Sequence, residues 1–353
     1  MSFQPVWRPL VTEGLPSPRA GHTVSFNEAT NECIVFGGAS HETGFSNDVY
    51  ILDLSSLTWR VGVKQSRTNI QSAPARYEHV AAIVRRNGGI PQLLVMYGAG
   101  EEGLRGDVWA LDLETYRWSV LETRGNIPQA RTLHSSGHIV LDSSSGKADR
   151  LYIFGGGLTI DRAVPDVNVY CLDVIYASTA DSLRWIQVTT GREQPSPLPR
   201  LGHSLAAVGT TMYMFGGMDG DQTFDELWIF DTVKHTWSLP DTSGDRPTAR
   251  AGHTATAVGT QLYIFGGFVK QPQPKVFDDV YVFNTETMVW SKLSVAALPP
   301  GPPCAVIDHD ACMIHASPRH QDQGTATVSK DGVLIFGGMD LSGIYNYVFQ
   351  LEL

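Results

Sequence analysis

The sequence predicts an all-β protein built as a closed six-bladed propeller, and three observations predict it. A glycine pair follows a short apolar run in "CIVFGG", "LYIFGG", "MYMFGG", "LYIFGG" and "VLIFGG", with the variant "LLVMYGAG" between the first two. Each copy sits in a larger unit. Arg-x-x-His precedes it, and a Tyr- or Trp-bearing run ending in Asp or Asn follows it, then a Trp. Finally, the chain opens with a Trp that has no unit before it, "FQPVWRPLV", and stops at "YNYVFQLEL", where a unit still lacks its Trp.

The elements are justified in order. Arg-x-x-His appears as "RAGH", "RYEH", "RTLH", "RLGH" and "RAGH", that is Arg19 and His22, Arg76 and His79, Arg131 and His134, Arg200 and His203, Arg250 and His253; the last unit has His309 without the Arg. The run before the glycines is almost continuously apolar, as in a strand covered on both faces. The first glycines, Gly37, Gly98, Gly155, Gly216, Gly266 and Gly337, lie 61, 57, 61, 50 and 71 residues apart, a fixed unit with variable loops. The pairs Gly37–Gly38, Gly155–Gly156, Gly216–Gly217, Gly266–Gly267 and Gly337–Gly338 suit positive φ where the strand leaves the sheet. The third strand reads "NDVYILD", "GDVWALD", "DVNVYCLD", "DELWIFD" and "DDVYVFN"; a short turn leads to Trp59, Trp118, Trp237 or Trp290, and a longer connection to Trp185 in "LRW". An Asp or Asn opening a turn marks a hairpin. Tyr50 and Trp59 exemplify an aromatic pair expected to pack between blades. Four strands per unit make a propeller blade. Trp7, with residues 4–12, supplies the missing fourth strand of the blade formed by 332–353, and residues 1–353 read as one domain.

Bulk properties narrow the function. The 353 residues include 35 Gly and 20 Pro, as turn-rich β proteins do. A formal charge of −10 argues against broad nucleic-acid or anionic-membrane binding. Cys33, Cys171, Cys304 and Cys312 form no Cys-x-x-Cys pair, so zinc-ribbon and thioredoxin chemistry lack support. There is no signal-peptide pattern and no apolar run of about 20 residues, so the expectation is a cytosolic monomer without membrane insertion.

These units resemble the kelch repeat over essentially the whole chain. Within that superfamily, the order of features is similar to the kelch-motif effectors of a late-endosomal Rab GTPase. The features are "RYEH", "RTLH" leading to "LYIFGGG", "ALPPG" with "DHDACMIH", and a long insertion before "LIFGGM". The resemblance implies a non-enzymatic binding scaffold or adaptor in endosomal vesicle trafficking. It also implies protein partners such as a small GTPase, no cofactor, and recruitment to endosomal membranes through partners.

Chemical alternatives weaken on inspection. The Arg-x-x-His residues recur once per blade, which fits a repeated hydrogen-bonding task and not an asymmetric catalytic site. Galactose-oxidase-like proteins need copper with Tyr and His ligands and a Cys–Tyr cross-link, and are generally exported. Plant specifier proteins take iron through Glu, Asp and His spaced four apart; here Glu226, Asp231 and His235 are spaced five and four, so the first two face opposite ways along a strand. "MDGDQTFDE", 218–226, lacks the order of a calcium loop. A G-x-S-x-G elbow is absent. A substrate receptor for a ubiquitin ligase is a further alternative, weakened because no adaptor domain is attached.

What differs between units is the loops after the glycines: "ASHETGFSND", "GEEGLRGD", "GLTIDRAVPD", "MDGDQTFDE", "FVKQPQPKVFDD" and "MDLSGIY". They and the connections into Arg-x-x-His open on one face, where specificity can reside. Exposed partner-binding candidates are Phe45, Glu101, Glu102, Arg105, Arg162, Asp219, Phe224, Phe268, Lys270 and Tyr345. The polar insertion 316–330 is expected to protrude, with Ser317 before Pro318 as a phosphorylation candidate.

Overall fold

The computed structural model describes residues 4–63, 72–86, 89–143, 146–175, 183–188, 195–299, 301, 303–316, 328 and 330–353. Ser317 and most of the 316–330 insertion lie outside these residues. Among the described residues the long strands form six antiparallel sheets. Blade 1 runs Ala20–Asn27, Glu32–Ser40, Val49–Asp53 and Thr58–Val63 from the axis outwards. Blades 2 to 5 repeat the order and begin at Val80–Arg86, Ser135–Ser143, Ser204–Val208 and Ala251–Val258. The six innermost strands lie side by side around one axis, that of blade 6 returning to blade 1.

Blade 6 takes Asp310–Ile314, Gly332–Phe336 and Val348–Glu352 from the C-terminus and Val6–Pro9 from the N-terminus. The last two are antiparallel, with Trp7 opposite Leu351. Leu10 N–H extends the ladder to Val348 O, after which the chain crosses to blade 1. The paired stretch is therefore shorter than 4–12. Ring closure satisfies a backbone edge that would otherwise be open to association.

Aromatic packing joins the blades by one rule. The Phe or Tyr before the glycines contacts the Trp of the next blade: Phe36–Trp118 at 5.1 Å, Tyr97–Trp185 at 5.7 Å, Phe154–Trp237 at 5.3 Å, Phe215–Trp290 at 5.2 Å, Phe265–Trp7 at 5.1 Å and Phe336–Trp59 at 5.3 Å. Trp7 thus occupies the place of a repeat Trp. The core is distributed as wedges between neighbouring blades, for example Phe36 and Ile51 against Val95, Trp109 and Leu111. As expected, Trp59 packs between blades 6 and 1, and Tyr50 lies against the same wedge. The Tyr50 ring lies 4.8 Å from the Arg19 guanidinium.

At the far face the turns follow one design. Asp53, Asp112, Asp231 and Asn284 each accept two backbone N–H groups from the residues two and three further on, and Leu57, Tyr116, His235 and Met288 then take positive φ. This is the reason for the acidic or amide residue at each turn entry. Short fifth strands add an outer layer: Thr123–Gly125 on blade 3, Ser243–Gly244 on blade 5 and Ala296–Ala297 against Val6–Trp7, all parallel to the strands they cover.

Candidate protein-binding face

The Arg-x-x-His residues build the frame of one channel mouth. Arg19, Arg76, Arg131, Arg200 and Arg250 are almost wholly buried. Each donates through Nη1 to a carbonyl in the glycine segment of its own blade, such as Gly37 O at 2.9 Å and Gly216 O at 3.0 Å. Four also meet an acid at the start of the third strand: Arg76–Asp107 at 3.0 Å, Arg131–Asp166 at 3.5 Å, Arg200–Glu226 at 2.8 Å and Arg250–Asp279 at 2.8 Å. Desolvation lowers the pKa of Arg19, Arg76 and Arg200, and the acids beside them offset part of that shift. The Arg carbonyl accepts from the second glycine of the preceding blade, as in Gly38 N–H to Arg76 O and, closing the ring, Gly338 N–H to Arg19 O, both at 2.9 Å. Val306 takes the Arg place in blade 6, and its carbonyl still accepts from Gly267 N–H at 2.8 Å.

The histidines also reach to the preceding blade. His79 Nε2 meets Thr23 Oγ1 at 3.0 Å, His253 meets Ser204 Oγ at 2.9 Å, His309 meets Thr254 Oγ1 at 3.0 Å, and His22 meets Phe336 O at 3.1 Å. His134 lacks such a partner because Val80 stands where those blades carry a hydroxyl, and the Ser135 hydroxyl donates to the His203 carbonyl instead of meeting its ring. Burial drives the pKa of His22, His203 and His309 down to about 3 and those of His79, His134 and His253 well below the ordinary value. Neutral rings fixed in identical places act as struts.

The residue just before each His forms a ring of its own. Gly21 N–H donates to Asp308 O, Asp308 to Gly252, Gly252 to Gly202, Gly202 to Leu133, Leu133 to Glu78 and Glu78 to Gly21, at 2.7–3.3 Å. All six have positive φ, between 50° and 66°. Glycine suits this conformation, so Glu78, Leu133 and Asp308 stand there at a cost of about 1–2 kcal/mol each. Their side chains occupy the mouth. Glu78 Oε1 lies over Gly21 and Asp308 Oδ1 over Gly252, each close enough to clash with an added Cβ. Neither carboxylate has a hydrogen-bond partner among the described residues. Enclosure raises the pKa of both, Asp308 to about 6, and Asp310 behind them is raised to about 7.

Above this ring rises an apolar funnel of about 320 Å³. Its wall takes residues that follow the Arg position, Ala20, Tyr77, Leu201, Ala251 and Ile307, and residues that follow a glycine pair, Ala39, Met218, Phe268 and Met339, joined by bridges such as Leu201–Met218, Ile307–Met339 and Ala251–Phe268. Ile160 and Ile344 from two post-glycine loops complete it. Below the ring a polar channel of about 280 Å³ is lined by Thr23, Ser135, Ser204 and Thr254 among others.

The sequence-derived candidates distribute unevenly around this mouth. Phe268 and Lys270 line it, and Lys270 Nζ donates to Gly220 O at 3.2 Å. Phe45 stacks on the lining residue Tyr77 at 4.9 Å. Asp219 accepts from Ala163 N–H, and Tyr345 stacks on Tyr347 at 5.0 Å. Arg162 is exposed on the blade 3 loop. Glu101 and Glu102 are exposed on the blade 2 hairpin, with Arg105 half-buried 3.7 Å from Glu102. Phe224 is corrected: it is 5% exposed, not a surface residue, because its ring is clamped 4.0 Å beneath the Arg200 guanidinium. Glu226, Asp231 and His235 divide between the Arg200 ion pair, a turn cap at the other end of the strand and a left-handed turn position, so they do not converge. Glu78, Asp308 and the rest of the funnel wall, beyond Phe268 and Lys270, were missed by sequence reasoning. Their signal was the replacement of Gly in "RAGH" and "RLGH" by Glu in "RYEH" and Asp in "IDH".

Comparison with known proteins agrees with this architecture. The profile of the KLHDC2/KLHL20/DRC7 Kelch-repeats domain matches residues 4–143 and 90–317. Host cell factor 2 of Homo sapiens is 31% identical over 244 residues, which cover 62% of this chain and 29% of that protein. Rab9 effector protein with kelch motifs is 31% identical over 227 residues in Rattus norvegicus, covering 63% of this chain and 55% of the relative. The Xenopus laevis form is 30% identical over 228 residues, covering 63% and 56%. The chain thus spans about half the length of the Rab9 effector relatives and under a third of host cell factor 2. Six blades with one repeated frame, together with a profile match reaching from residue 4 to residue 317, place the chain in the kelch-repeat family.

Proposed function

We propose that the protein is a non-enzymatic interaction scaffold that binds a protein partner through the face bearing the post-glycine loops. The observation that carries this reading is the contrast between frame and wall. Arg, His and Gly repeat around the mouth, while the wall positions vary between Ala20, Tyr77, Leu201, Ala251 and Ile307. A rigid frame that presents variable apolar positions suits recognition of another protein. Similarity to proteins named Rab9 effector supports an adaptor role in endosomal trafficking, with a small GTPase as a candidate partner and recruitment to membranes through partners. Among the described residues no helix is long and apolar enough to cross a membrane.

Affinity capture from cell extract with the full chain, followed by mass spectrometry, tests the reading. Partners retained by wild type should be lost by a Phe268→Asp, Met339→Asp double variant that melts like wild type. Retention of every partner by that variant would move the binding surface elsewhere. Double substitution of Glu101 and Arg105 tests whether the blade 2 hairpin shares the interface.

A further inference from the structure

The funnel has a feature that a merely apolar docking site does not need. Its wall is apolar, with Leu201, Met218, Phe268, Met339 and Ile344, but its floor carries the Glu78 and Asp308 carboxylates. An apolar wall leading to unpartnered carboxylates has a charge complement: a long aliphatic stem ending in a cation. We propose that the mouth binds an extended segment of a partner protein by taking one basic side chain, lysine or arginine, into the funnel, with the alkyl stem against Met218 and Phe268 and the cation over Glu78 and Asp308.

Three further observations support this occupant and rest on the binding face proposed above. The carboxylates stand on left-handed backbone where three of the six blades have glycine, so their presence is a departure from the repeat and not part of its frame. The ring's backbone N–H and C=O groups are consumed by one another, leaving side chains to recognise a ligand. The whole chain is acidic, at −10, which favours approach of a basic segment.

The other ionisable groups facing this floor are Asp161 and Lys270 at the rim, Tyr77 beside Glu78, and below it Asp310 and the histidines His22, His79, His134, His203, His253 and His309. Lys270 is turned to Gly220 O, and burial holds the six histidines neutral. A bound cation favours the ionised carboxylates, so affinity should weaken as pH falls through about 6, the value to which Asp308 is raised.

The test is selection of a displayed random dodecapeptide library on the full-length chain at pH 7.5, followed by titration of synthetic, end-capped versions of the enriched peptides. Enrichment of a Lys or Arg flanked by apolar residues is expected. Replacing that residue by norleucine should weaken binding about tenfold or more, as should the isosteric pair Glu78→Gln, Asp308→Asn. Glu78→Gly provides a second variant whose ring position already exists in three other blades. Enriched peptides without a basic residue, peptides indifferent to the carboxylate variants, no enrichment at all, or binding of free polyamines as tight as that of the peptides would each overturn the inference. The Phe268→Asp, Met339→Asp variant separates the two readings. If peptides are lost with it but are indifferent to Glu78→Gln, Asp308→Asn, the face stands and the basic occupant falls. If they survive it, the face itself is wrong.

Discussion

Trp7→Ala measures how fully the N-terminal strand belongs to the ring. Trp7 is 2% exposed and touches Phe265 of blade 5 and Phe349 of its own blade, with ring centres at 5.1 and 6.4 Å. A buried indole removes about 150–250 Å² from water, which at about 25 cal/mol per Å² corresponds to about 4–6 kcal/mol. Retaining the Cβ and allowing for a compact denatured chain brings the expected loss to about 3–5 kcal/mol. Trp290, at 1% exposure, holds the equivalent place in blade 5, where its neighbours come from continuous chain. Urea denaturation followed by circular dichroism should therefore give Trp7→Ala and Trp290→Ala losses within about 1 kcal/mol of each other. Leu341→Ala, at a site 85% exposed, should cost under about 0.5 kcal/mol. A Trp7→Ala loss no larger than the Leu341→Ala loss would show that the strand merely leans on the ring, and the closure argument would fail.

Further outcomes concern the frame. The six strut histidines bind protons only in the unfolded chain between their depressed folded values, about 3 for His22, His203 and His309, and about 6.5, so each loses stability for the fold as pH falls below 6.5. Asp308 and Asp310, raised to about 6 and about 7, act oppositely below those values, and Glu78, raised by burial, acts in the same sense, but they are three against six; denaturation midpoints should fall from pH 6.5 to 4.5, and a rise would contradict the buried-neutral assignment. Val80→Thr should supply the hydroxyl that His134 lacks, so its denaturation midpoint should match or exceed wild type, where an ordinary buried Val→Thr is destabilising; a loss above about 1 kcal/mol would refute the strut geometry. Gly37→Ala and Gly209→Ala share a φ near +60° to +70°, but only at Gly37 does the new Cβ meet Arg76 O at 2.7 Å and His79 Cε1 at 2.8 Å, whereas Gly209 has open space. Gly209→Ala should cost about 1 kcal/mol and Gly37→Ala at least about 2 kcal/mol more by the same denaturation assay, and equal costs would remove the clash from the account.

The blade count and the completion of blade 6 by Trp7 were legible because each strand repeats a pattern set by its own burial and turn chemistry. Local pattern could not show which aromatic meets which. Tyr50 and Trp59 lie close in sequence, yet the Trp partner is Phe336, nearly three hundred residues away. Phe224 read as exposed because loop aromatics commonly are, but a buried Arg requires cover and takes the nearest ring; Phe277 does the same over Arg250 at 4.3 Å. The fifth strands were hidden in connecting segments, where the recurring glycines of "TRGNIP" and "TSGDRP" were the available sign. Glu78 and Asp308 escaped notice for the opposite reason: a strong repeat invites its departures to be read as drift.

The hexagon of backbone bonds beneath the funnel has an electrostatic consequence. Six N–H···O=C bonds follow one another in the same sense around a closed loop, so the backbone donors and acceptors of these six residues are paired with one another. The aperture is consequently almost neutral in its main chain, unlike the end of a helix. Whatever charge a visitor senses there is written by two or three side chains, and a handful of substitutions could invert the preference of the aperture without disturbing the fold that holds it.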